Sequence, residues 1–127
     1  MFPAATTKPT TKSPIFKDIL QKSKQMIQGW GGKMYFVYLP SFIWFDIKRH
    51  LPKINHLNRE FVLDTVSELE IPIIDIHKEV FDPHPDPLSL FPFRMNSHYN
   101  AEGYRFVAEA IGKRLEADGY VPIKSKE

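Results

Sequence analysis

The order of segments along the chain predicts an α/β fold with a parallel sheet. Two short stretches, Lys33–Pro40 (KMYFVYLP) and Ile71–His77 (IPIIDIH), are apolar without polar alternation, the pattern of strands covered on both faces. Amphipathic segments of helical period stand before, between and after them, giving helix, strand, helix, strand, helix. Strands that alternate with helices imply layered architecture and right-handed crossovers. Two such strands make a poor sheet alone, so their open edges call for cover by a second copy (a homo-oligomer) or by a partner chain.

The first helix is expected over Pro14–Gln28. Ser13 is placed to cap it, Pro14 fits the first helical position, and Phe16, Ile19, Leu20, Ile27 and Trp30 fall on one face. The run Gly29–Gly32 (GWGG) ends it, because glycine accepts the left-handed conformation of a helix C-terminus. After the first strand, Ser41–His56 reads as a short helix followed by a loop around Pro52. A second helix follows from Leu57, with Asn58 as cap and Phe61, Val62, Val66 and Leu69 facing inward. Beyond the second strand comes a helical turn through Val80 and Phe81, then a proline-punctuated loop, DPHPDPLSLFPFR. The last helix is expected over Ala101–Ala117. Asn100 caps it, Glu102 suits its positive end, and Tyr104, Val107, Ala108, Ile111 and Leu115 form its apolar face. Residues 1–12 are expected to be a disordered tail, 13–120 a single α/β domain, and 121–127 a C-terminal tail.

Composition narrows the function classes. The chain has 127 residues, 43% hydrophobic and 25% charged, as soluble globular proteins have. Lys and Arg number 17 against 15 Asp and Glu, a net charge of +2 spread along the chain, which gives no case for nucleic acid. There is no cysteine, so neither a disulfide framework nor a thiolate metal site is expected, and the compartment is left open. No apolar run approaches the roughly 20 residues that span a bilayer.

The segment Ser97–Ile111, SHYNAEGYRFVAEAI, is the most informative. A loop histidine, then Asn-x-x-Gly-Tyr, then an amphipathic helix resembles the last block of the SGNH (GDSL-type) esterase superfamily. The strand-bearing segments GGKMYFVYLPS and IPIIDIHKEVF are similar to its two late strands. The resemblance spans roughly residues 25–115. It implies a three-layer α/β/α sandwich, flavodoxin-like in outline, of which this chain holds the C-terminal strands and helices. It further implies hydrolysis of small-molecule or glycan esters through a serine acyl-enzyme, with His98 as general base and no metal or organic cofactor. The chemistry is sound: a serine hydroxyl is a weak nucleophile near neutral pH, and imidazole can take its proton and return it to the leaving group. A position just before a helix N-terminus favours the neutral imidazole that a base requires.

The sequence also departs from that family. It holds no Gly-Asp-Ser and no Gly-x-Asn-Asp, so the nucleophile segment is expected to lie outside this chain. Where the family places an aspartate shortly before the histidine, this chain has Met95 and Asn96. Asp86, Asp75 or the amide of Asn96 is left to orient the ring, although a neutral group stabilises imidazolium less than a carboxylate does. Ser41, directly after the first strand, and Arg94 are candidate substrate contacts. Ser41 as nucleophile competes with a plain turn-initiating serine, and Arg94 could bind an anionic substrate group or a backbone carbonyl. Asp82, His84 and Asp86 have a spacing that could hold a metal, against the plainer reading of a solvated polar loop. His98 itself could be no more than a polar residue beside a helix cap. Two further functions remain open: a non-catalytic α/β module that binds a partner or itself, and a carbohydrate O-acyltransferase or deacetylase relative.

Overall fold

A computed structural model describes residues 14–46 and 52–120; the expected N- and C-terminal tails lie outside them. Helix α1 spans Pro14–Gly29, strand β1 Phe36–Tyr38, helix α2 Pro52–Glu68, strand β2 Ile73–Asp75 and helix α3 Ala101–Ala117. The predicted order of helices and strands is therefore present. β1 and β2 pair side by side in a small parallel sheet, and the Phe36 amide donates to the Pro72 carbonyl at 2.8 Å where the pairing begins. All three residues of β1 are half-buried, so the expected cover on both faces is not reached there.

The described chain divides into two compact units, and the boundary passes through both strands. The first unit holds α1 and α2, packed together. Its core is Leu20, Val66 and Ile71, joined by Phe16, Met34, Phe36, Leu69 and Ile73. The exposed face of α1 corrects its predicted stripe: Leu20 is buried, whereas Ile19 and Trp30 are 58% and 69% exposed. A helix of 16 residues bordering one small core buries a narrow seam, and apolar residues flanking that seam stay in solvent. Lys17 pairs with Glu68 at 3.0 Å, and the Lys24 ammonium donates to the Leu69 carbonyl at 2.6 Å. Helix α2 begins at Pro52 rather than near Asn58, which lies inside it. Proline at the first helical position loses no hydrogen bond, so the expected loop around Pro52 is instead a helix start.

The second unit holds residues 38–46 and 74–120. It is built on aromatic rings. Phe81 is fully buried between Phe45, Phe91 and Tyr99, at centroid distances of 5.1, 5.9 and 5.1 Å. The turn through Val80 and Phe81 is a five-residue π-helical turn, His77–Phe81. The proline-rich segment is more ordered than an extended loop, folding into two 3₁₀ turns, Pro87–Leu90 and Pro92–Arg94, with proline at the start of each. Helix α3 packs on the π turn and on the first 3₁₀ turn. On α3 Val107 is buried and Ile111 and Leu115 are half-buried, but Tyr104 is half in solvent, another correction to a predicted apolar face.

Candidate functional site

The loop before α3 is positioned from both ends. Asn100 caps the helix as predicted: its side-chain oxygen accepts from the Gly103 amide at 2.9 Å, and its Nδ2 donates to the Ser89 carbonyl at 2.8 Å. The Asn100 amide donates to the Leu90 carbonyl at 2.8 Å, tying the loop to the first 3₁₀ turn. Gly103 permits that approach. A Cβ there would stand 2.9 Å from both the Leu90 carbonyl oxygen and the Tyr99 Cβ, closer than real contacts allow.

Tyr99 is the buried residue of the loop. Its ring packs on Phe81, Phe91 and Tyr104, and its hydroxyl donates to the Pro40 carbonyl at 2.5 Å. Burial pushes its pKa well above the usual phenol value. The residue next to His98 is thereby bonded to the residue next to Ser41.

His98 itself is exposed. Its ring lies roughly parallel to Tyr104, with centroids 6.4 Å apart, and its Nδ1 stands 2.7 Å from the Tyr99 carbonyl oxygen. A carbonyl can only accept, so Nδ1 carries the hydrogen. In the neutral ring the lone pair then resides on Nε2, the tautomer in which a histidine works as a base through its outer nitrogen.

The other predicted site residues lie elsewhere. Asp86 is held by Arg94, whose Nη1 donates to its Oδ2 at 2.6 Å. That bond, with the guanidinium charge, keeps the carboxyl below the usual carboxylate range and commits both groups to each other. Among the described residues no hydrogen bond joins His98 to Asp86 or Asn96, and the side chain of Asn96 is exposed. Asp75 ends β2 and accepts from the Lys78 amide at 3.3 Å. Ser41 is exposed, leads a 3₁₀ turn over Phe42–Trp44, and its hydroxyl makes no capping bond. The spacing Asp82, His84, Asp86 does not converge on a metal. His84 Nδ1 accepts from the Asp86 amide at 2.9 Å, Asp82 lies 3.3 Å from the Nε2 of His77, and no group of three metal-binding side chains occurs among the described residues.

No family model, no curated protein and no solved structure matches this chain. The site is therefore read from its own geometry. His77, expected only as the end of the second strand and at no metal-binding spacing, is a further polar group of this unit. It is buried, 4.7 Å from the ring of Trp44 and 5.5 Å from that of Phe45, with Asp82 beside its Nε2. The signal available was its place just after an apolar strand, at the sheet edge where parallel strands end and sites gather.

Proposed function

We propose that this chain is the base-bearing, C-terminal portion of an SGNH-type ester hydrolase, a three-layer α/β/α sandwich when complete. The observation that supports it best is the 2.7 Å contact of His98 Nδ1 with the Tyr99 carbonyl oxygen, which calls for a hydrogen on Nδ1 and leaves Nε2 as the acceptor of the neutral ring. In that reading the carbonyl takes the orienting part that a carboxylate plays elsewhere. Being neutral, it stabilises imidazolium less and makes a weaker base catalyst. The nucleophile and the oxyanion donors come from a segment outside the chain. Substrates are small-molecule or glycan esters.

The test is hydrolysis of p-nitrophenyl acetate by the chain as it stands and by a protein extended with the codons preceding Met1. The chain alone is expected to give only slow, non-saturating hydrolysis, as free imidazole does. The extended protein is expected to turn over with saturation and to lose about 10²–10⁴-fold in His98→Ala. Saturable turnover by the chain alone that disappears in Ser41→Ala would place the nucleophile at Ser41 and overturn the proposal. So would turnover in the extended protein that is indifferent to His98.

A second reading, a non-catalytic module that associates through its sheet, is favoured by one observation. Among the described residues β1 and β2 pair only with each other, leaving an outer edge on each. Sedimentation at rising concentration separates the two readings: a monomer throughout argues against self-association.

A further inference from the structure

The second unit carries an open groove of about 710 Å³ between α3 and the segment from the π turn to Pro85. That volume lies within the range of small-molecule sites, roughly 300–1,000 Å³. Its apolar lining is Val80, Pro83, Pro85, Phe106 and Ala110. The His84 and Phe106 rings meet edge to face at 5.9 Å and stiffen one wall.

Four charged groups rim the groove: Lys78, Glu79, Glu109 and Lys113. They are not equivalent. Glu109 is neutralised by Arg105, whose Nη1 lies 2.8 Å away, and the Arg105 guanidinium rests over the Phe106 ring at 4.5 Å. The ammonium groups of Lys78 and Lys113 have no partner among the described residues, and neither has the Glu79 carboxylate. Among the described residues the uncommitted charge on this rim is two positive against one negative. His84 adds a donor: its Nδ1 accepts the Asp86 amide hydrogen, so in the neutral ring Nε2 carries the proton.

We propose that this groove binds a small amphiphilic monoanion, an aryl or alkyl body bearing one carboxylate. The body covers Val80, Pro83 and Phe106. The carboxylate is drawn to Lys78 and Lys113, away from Glu79. The site is shared with no residue of the His98 loop, so it stands or falls independently of the hydrolase reading. Because the groove is open, its affinity is modest, with a dissociation constant on the order of 10⁻⁴ M.

The experiment is a ¹⁵N–¹H NMR titration of the full chain with three probes of one shape: 4-phenylbutyrate, 4-phenylbutanol and 4-phenylbutylamine. Shifts are expected at residues 78–85 and 106–113, with the carboxylate binding about tenfold tighter than the alcohol and the amine weakest. The double variant Lys78→Gln/Lys113→Gln is expected to weaken 4-phenylbutyrate about tenfold and to leave the alcohol unchanged. Glu79→Gln is expected to tighten it about threefold, a gain that a damaged fold cannot imitate. His98→Ala is expected to leave the binding of all three probes at the groove as it is in the wild type. Equal binding of the three probes, shifts centred elsewhere, or Glu79→Gln that weakens the carboxylate each overturn the proposal.

Discussion

The Tyr99 hydroxyl is buried against the Pro40 carbonyl, and its neutral form is the one the fold holds. Tyr99→Phe keeps the ring and removes the donor, leaving a buried carbonyl without its phenol partner; the expected loss is about 1–2 kcal/mol near neutral pH. The pH dependence has a definite sign. The native pKa is raised, so the contribution is full below the ordinary phenol value of about 10 and is lost as pH rises through the higher native one. Urea midpoints from pH 7 to 12 are expected to show a constant gap between wild type and Tyr99→Phe up to about pH 9, and a shrinking gap above about pH 10. A gap that widens with pH would contradict the assignment. At this scale the capping residue Asn100 was legible, because a side-chain cap has a residue-type signature. The partner of the His98 ring was not. It is a backbone carbonyl, which any residue supplies, so it has no signature in residue type.

All three helices end in the same hydrogen-bonded motif. The amide of the second residue beyond the cap reaches back five positions: Gly32 to Ile27 at 2.9 Å, Ile71 to Val66 at 3.2 Å, and Tyr120 to Leu115 at 2.7 Å. The amide just before it reaches back three: Gly31 to Gln28, Glu70 to Ser67, and Gly119 to Glu116. This is the Schellman ending, whose pivotal residue takes a left-handed conformation. Gly31 and Gly119 do so at φ 80° and 89°, but α2 uses Glu70 at φ 56°. A side chain there costs about 1–2 kcal/mol, and glycine returns part of that gain through its freer unfolded chain. Glu70→Gly is therefore expected to stabilise the protein by about 0.5–1 kcal/mol. Glu70→Ala is expected to give no such gain, while Gly31→Ala and Gly119→Ala each lose about 1 kcal/mol in urea melts. A loss of stability in Glu70→Gly sinks the account. The end of α1 was readable from its glycines, whereas the end of α2 carries no such residue. Its start was hidden for the opposite reason: the proline that suggests a loop around position 52 is the residue that opens the helix.

Across the whole molecule, the alternation of helices and strands was legible because period and apolar runs are properties of the sequence itself. The division into two compact units was not, since it depends on which long-range contacts form. Nor was the part played by the proline-rich segment. Its prolines mark a loop correctly, yet the same stretch supplies Leu90 and Phe91 to the core of the second unit, while Phe93 stands 91% exposed at φ 54°. Proline punctuation fixes backbone choices and says nothing about which neighbouring rings are covered. The aromatic core therefore decides the stability of the second unit, and Phe81 is its centre, ringed by Phe45, Phe91 and Tyr99. Phe81→Ala is expected to cost about 3–5 kcal/mol, against the roughly 5–15 kcal/mol that holds a typical domain folded. Phe81→Leu, which keeps most of the volume, is expected to cost less than half as much. Trp44 belongs to this unit and reports its unfolding by fluorescence once the other tryptophan, Trp30, is replaced by phenylalanine. If Phe81→Ala moves the Trp44 transition by less than about 1 kcal/mol, the rings around position 81 close over the space without loss, and the second unit must draw its stability from the contacts of α3 instead.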